Sequence, residues 1–275
     1  MILGVPFTLA HPAAVLPLVR GPLVPAALVA GSLSPDVPYF VPAPRYAGAW
    51  YEPFVNATTT HAWPGALTVA VPTAVVLLAL WWVVRAPLAD LLVPPADAAP
   101  GDARHDLRPG RAAAQAGWVV VSLVLGVLTH VVWDSFTHGD GVVVQHVAWL
   151  REPLVGDVPA GRVLQHVSTA VGLGVLAVWA ARRVVRWHAA GGRPAPRGVV
   201  VAGALGLIGA GAGTLAAVGA HEPGAGVEHA LAAAATGGGA VVAAAVLLGA
   251  VVWHVHRAAT RATTRAGGAD VPSAP

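Results

Sequence analysis

Leu128-Thr129-His130-Val131-Val132-Trp133-Asp134-Ser135-Phe136-Thr137-His138 is the stretch whose reading decides the fold. It closes an apolar run that begins near Trp118. That run is long enough to cross a bilayer, which takes about 20 apolar residues. His130, Asp134 and His138 recur every four residues, so on a helix they share one face. His130 precedes Thr137 by seven residues, which places it roughly 10 Å inside the helix end at 1.5 Å per residue. A polar helix end reaching for the interface accounts for His138 alone. Ionisable groups deeper in a span are costly unless they line a cavity, pair with one another or hold an ion. The stretch therefore predicts both a transmembrane helix and a functional site on it.

Composition agrees with the first prediction. The 275 residues are 56% hydrophobic and 11% charged, with a mean hydropathy of +0.67, which is the composition of a membrane protein. Cysteine is absent, so a metal here must be held by His, Asp or Glu. All 16 basic residues are Arg. The pI near 10.2 rests on a net charge of only +3, and the arginines are scattered between apolar segments. That pattern reads as membrane topology, and it excludes a nucleic-acid partner.

Outward from the central stretch, four further spans are predicted, at about 64–84, 165–179, 199–220 and 230–253. The last two are rich in Gly and Ala and suit close helix packing. Near the N-terminus, apolar residues run from Ala13 to Leu33 but are broken at Arg20-Gly21-Pro22. Either one kinked span or a short helical hairpin fits. Pro17, Pro22 and Pro25 favour the hairpin, which returns Asp36 to the side of His11. The fold class is thus all-α: a multi-pass transmembrane helical bundle of about five full spans plus that hairpin or kinked span. It forms one integral membrane domain over 1–256, with the motifs in 1–172 and an additional Gly/Ala-rich helix pair in 198–256. A polar tail, 257–275, is expected to be disordered and cytoplasmic.

Segments 85–111 and 182–197 and the tail beyond 253 hold twelve of the 16 arginines. Segments 34–60, 138–162 and 221–229 hold Arg45, Arg151 and Arg162. Counting positive charge places the first group in the cytoplasm and the second outside. His11, Asp36, His61, His130, Asp134, His138 and His166 then all fall at the outer ends of their segments. Span length and arginine alone built this topology, so the coincidence points to one shared site. His221, Glu222, Glu228 and His229 form a second outer cluster, read as ordinary loop polarity.

Imidazole and carboxylate without thiolate suit Zn²⁺, Mn²⁺ or Fe²⁺. The expected ligands of a divalent metal, zinc first, are His11, Asp36, His61, His130, Asp134 and His166, with Asp134 and His138 as catalytic groups. His130 and His138 are roughly 12 Å apart along the helix axis, too far to share an ion. Either Asp134 bridges two metals, or one His binds and the other supports it. Such a site polarises water and suits ester hydrolysis.

Phe7-Thr8-Leu9-Ala10-His11-Pro12, Ser32-Leu33-Ser34-Pro35-Asp36, the 128–138 stretch and Gln165-His166 resemble an uncharacterised family of bacterial multi-pass membrane proteins. More distantly, the layout is similar to the inner-membrane metal-dependent hydrolases. Those share an early His, a Ser-x-x-Pro-Asp turn, a His opening a later helix and a His-x-x-x-Asp helix. The resemblance covers roughly residues 1–172 and implies that His11, Asp36, His61, His130 and Asp134 bind metal. Those hydrolases usually carry a second Asp after the Pro-Asp turn, where Val37-Pro38 stands here. The expected function is a membrane-bound metal-dependent hydrolase of the bacterial inner membrane. Its substrate would be a lipid or other membrane-proximal (phospho)ester at the extracytoplasmic face, with membrane lipids as partners. The alternative is a transporter or other non-enzymatic membrane protein that uses the cluster as a proton or metal-ion site.

Overall fold

The structure, a computed structural model, describes residues 8–41, 46, 48–92, 109–220 and 226–268. A 3-10 turn at Thr8–Ala10 leads into α1 (Pro12–Val15) and a second 3-10 turn at Leu16–Leu18. The chain reverses at Gly21, whose φ of +58° suits a residue without a side chain, and returns as α2 (Pro25–Leu33). The N-terminal segment is therefore a hairpin. Its prolines sit where a turn or a first helical position tolerates a missing N–H.

A 3-10 turn at Ser34–Tyr39 follows, then α3 (Glu52–Val55) and α4 (Ala57–His61). The Asn56 side chain caps α4 by accepting the Thr58 N–H at 3.0 Å. A π-helical turn at Ala66–Ala70 runs into α5 (Val71–Leu92), and the central stretch ends α6 (Pro109–Thr137). After α7 (Val142–His146), strands β1 (Pro153–Val155) and β2 (Val158–Pro159) form a small antiparallel hairpin. Three long helices complete the chain: α8 (Ala160–Ala189), α9 (Pro196–Gly219) and α10 (Val227–Gly268). Among the described residues, five helices are long and apolar enough to cross a membrane, so the protein is a multi-pass α-helical membrane protein.

Two boundaries differ from the sequence reading. The fourth span starts at Ala160, ahead of Gln165-His166, because Pro159 supplies a natural first-turn break. The expected disordered tail is helical as far as Gly268. Arg, Ala and Thr after Arg257 include no breaker before Gly267, so a helix already nucleated in the membrane propagates through them. The loop pair His221 and Glu222 lies outside the described residues, as do residues 93–108 of the arginine-bearing segment 85–111.

What positions the site is the crossing of α2 over α6. A Cβ at Gly31 would strike the Leu123 carbonyl oxygen, and one at Gly126 would lie 2.8 Å from Gly31 Cα. The two backbones touch, which only glycine at both positions permits. The Val24 N–H donates to Ser122 Oγ at 2.9 Å and fixes the register of the crossing. Ala27, Ala30, Ala74, Leu78 and Leu123 fill the space between α2, α5 and α6. Beside them α9 and α10 pack through Gly209, Gly213 and Gly238. The Trp253 Nε1–H donates to Asp90 Oδ2 at 2.9 Å and ties α10 to α5.

A candidate metal centre

Asp36, His61, His130 and Asp134 meet above the α2–α6 crossing, each offering one ligand atom, with all four atoms within 4.8 Å of one another. The crossing brings the Ser32 carbonyl, at the end of α2, to 2.7 Å from His130 Nδ1. Thr60 Oγ1 donates to the Pro35 carbonyl at 2.6 Å and clamps α4 to the turn that carries Asp36. That clamp sets His61, the last residue of α4, against Asp36.

Elementary hydrogen-bond chemistry defines the ring tautomers. A carbonyl oxygen only accepts, so His130 Nδ1 carries a proton and donates to Ser32. His61 Nδ1 likewise donates to the Ala57 carbonyl at 2.8 Å. Both neutral rings then direct the lone pair of Nε2 inward. The two Nε2 atoms are 3.1 Å apart. His61 Nε2 is 3.3 Å from Asp36 Oδ1 and 3.2 Å from Asp134 Oδ2. His130 Nε2 is 3.5 Å from Asp36 Oδ1 and 3.1 Å from Asp134 Oδ2. With both rings neutral, four electron-rich atoms face one point, and any further proton on a ring sits between them. Asp36 is fully buried and Asp134 nearly so, yet neither pair of carboxylate oxygens has a hydrogen-bond partner. Unpaired buried carboxylates are among the costliest groups a protein can hold.

A cation at the centre relieves all four at once. A tetrahedron with metal–ligand bonds of about 2.0–2.1 Å has edges of about 3.3–3.4 Å; five of the six separations here run from 3.1 to 3.5 Å, and the sixth, between the two carboxylates, lies within 4.8 Å. The donor set, its spacing and the carbonyls that orient each ring fit a divalent metal ion.

Asp134 has a second side. Its Oδ1 is 3.4 Å from His11 Nε2 and 3.5 Å from His138 Nδ1, and the His11 ring stacks on His130 at 3.7 Å. Arg162 donates to Gln165 Oε1 at 2.8 Å, which turns the Gln165 amide nitrogen to donate to His138 Nε2 at 2.9 Å. His138 then carries its proton on Nδ1, facing Asp134. It supports the carboxylate and presents no lone pair to an ion.

Of the sequence-predicted ligands, Asp36, His61, His130 and Asp134 come together as one ligand group. His11 stands beside the carboxylate. His166 is exposed on α8 and is corrected: its neighbour Gln165, about 100° round the helix, turns inward instead. Gln165, Ser168, Thr169 and Gly172 follow i, i+3, i+4, i+7 spacing, the signal that marks the inward face. The backbone carbonyls of Ser32 and Ala57 carry no residue-type signal at all.

Burial lowers His11 to about 4, helped by the neighbouring His130. Burial opposes charge on Asp36, but His130 and His61 hold it well below the usual carboxylate range. Burial also opposes a charge on His61, yet Asp134 and Asp36 outweigh it and raise that ring to about 9. A metal must displace this proton. Zinc affinity is therefore expected to rise about tenfold per pH unit from pH 6 to 8, as zinc titrations at pH 6, 7 and 8 would measure. An affinity flat across that range would mean His61 holds no proton.

No curated protein and no solved structure matches the chain. A family model matches residues 5–252, a range that contains every residue of the cluster, and the chain therefore belongs to DUF4184, a domain of unknown function.

Proposed function

We propose that this protein is a zinc-dependent hydrolase of a lipid or other membrane-proximal (phospho)ester, with its site at the extracytoplasmic face of the bacterial inner membrane. The observation that carries the reading is the convergence of two imidazole nitrogens and two carboxylate oxygens within 4.8 Å of one another, beside a cavity that Asp134 also lines. A bound zinc supplies a Lewis acid that polarises the ester and lowers the pKa of water. Asp134 lines the cavity, and its Oδ1, turned towards His11 and His138, would accept a proton from the attacking water as the water oxygen bonds to carbon or phosphorus. Asp134 then returns that proton to the leaving alkoxide as the ester bond breaks, while the His138 Nδ1–H orients the carboxyl. Gln165 holds His138 in the tautomer this needs.

Four protein ligands close a tetrahedron, and closed sites are commonly structural. That observation favours a second reading, in which zinc staples α2, α4 and α6 together. The hydrolase reading requires expansion to a fifth position, which catalytic zinc undergoes. Transport is disfavoured, because Val127, Leu123, Ala27 and Ala74 seal the interior below His130.

Metal analysis of the purified protein should find about one zinc per chain. No bound zinc and no zinc-dependent stabilisation would overturn both metal readings. Esterase activity of the zinc form decides between them. For sidedness, Gly139→Cys should react with an impermeant thiol reagent in intact cells and Ala190→Cys should not. The reverse pattern would move the site to the cytoplasmic face. A Cβ at Gly139 meets nothing within 4 Å, so the first substitution is sterically free.

A further inference from the structure

The cavity beside Asp134 has a volume of about 210 Å³ and lies between α1, α6 and α8. Its inner end is polar, formed by His11, Asp134, His138, Gln165, Ser168 and Thr169. The Trp133 Nε1–H donates to Ser168 Oγ at 3.3 Å and pins α6 to α8 along this wall. Farther along α8 the lining becomes apolar, with Val171, Gly172 and Val175. Ala13 and Ala14 of α1 face them and keep the space open by their small size. Gly172 marks the tightest point, where an added Cβ would lie 3.1 Å from Ala10.

The cavity does not end there. Val171 and Val175 also line a groove that runs on past Val178 and Trp179 to Arg182. Thr169 to Val178 covers about 14 Å at 1.5 Å per residue. One leaflet of a hydrocarbon core about 30 Å thick is about 15 Å. A polar head pocket at the membrane face thus continues into an apolar channel one leaflet long. A helix is about 10–12 Å across and does not enter a space of this volume. A single hydrocarbon tail does.

From this order of lining we infer that the groove between α1 and α8 binds one aliphatic tail of a membrane amphiphile, whose ester or phosphate head lies beside Asp134, His138 and Gln165. The inference rests on the hydrolase reading for the chemistry of the head and on the groove alone for the tail. The tail enters sideways from the bilayer, since Val171, Val175 and Val178 are all half-exposed on the lipid-facing side of α8. Burial of its methylenes supplies binding that a free, short-chain ester lacks. Specificity for amphiphiles over soluble esters follows from that difference.

The test uses the full chain, zinc-loaded, in phosphatidylcholine vesicles, with a dodecylphosphonate carrying a diazirine near the end of its tail. The phosphonate is not hydrolysed, so the readout is binding. Photolabelling should concentrate on peptides containing Ala13–Leu16 and Val171–Val178, well above the lipid-exposed Leu207 region of α9. Val175→Trp fills the groove from an exposed position and should cut that labelling about tenfold, what about two methylenes denied burial would cost. Leu207→Trp should leave it unchanged. Labelling spread evenly over α8 and α9, or unaffected by Val175→Trp, would overturn the tail site. Zinc content of the same samples separates the two ideas. Focused labelling of a protein that binds no zinc supports the groove and refutes the hydrolase, whereas even labelling of a zinc-bound protein refutes the groove alone.

Discussion

Asp134→Asn is expected to lower zinc affinity by more than about 100-fold, beyond the 10–100-fold typical of residues that merely support a ligand. The substitution preserves shape but removes the negative charge that offsets the cation. It also replaces an acceptor, Oδ2, 3.1 Å from His130 Nε2 and 3.2 Å from His61 Nε2. In the wild type, zinc at 1,000 times its dissociation constant should stabilise the fold by about 4 kcal/mol. The variant should show almost none of that shift. Without zinc it should be less stable than the wild type, because the carboxylate that raises His61 to about 9 is gone and the buried ring loses its partner at 3.2 Å. Zinc content and thermal unfolding, read with and without added zinc, check both halves. A fully metallated and stabilised Asp134→Asn protein would refute the centre.

The second large effect separates the two histidines of the central helix. His130→Ala should lose zinc nearly as completely as Asp134→Asn. It removes a fully buried ring whose vacancy water fills poorly. It also leaves the Ser32 carbonyl without its donor, at a cost of about 1–3 kcal/mol. His138→Ala should retain zinc within about tenfold, the low end for a supporting residue. Its Nδ1 is 3.5 Å from the Asp134 oxygen outside the ligand group, and its side chain is reached by solvent. Hydrolysis should nevertheless fall, by about 10–100-fold, because the Nδ1–H that orients the proton-carrying oxygen of Asp134 is lost. Equal zinc loss in both variants would make His138 a ligand and contradict the tautomer drawn from Gln165.

These contrasts also divide what a linear chain discloses from what it hides. Helix periodicity made His130 and Asp134 neighbours before any fold was known, because positions four apart on a helix must meet. Hydropathy marked the long helices, since a bilayer tolerates few other backbones. Pro17, Pro22 and Pro25 spoke for the N-terminal hairpin, and the hairpin is what carries His11 and Asp36 to the same end of the bundle. Within α8 the inward face was legible in the spacing of Gln165, Ser168, Thr169 and Gly172, although His166 drew attention by residue type.

Periodicity, hydropathy and proline placement are local properties, so the sequence by itself determined an all-α membrane bundle and a His–Asp face on its second long apolar helix. Which oxygen of Asp134 joins the four-atom group, and which meets His11 and His138, is not local. It depends on Gly31 meeting Gly126, which sets Ser32 against His130, and on Thr60 binding the Pro35 carbonyl, which sets His61 against Asp36. Main-chain carbonyls then select the tautomers, and a carbonyl is the same atom in every residue. For that reason the gathering of scattered histidines and aspartates into one ligand group was decided only by the tertiary structure.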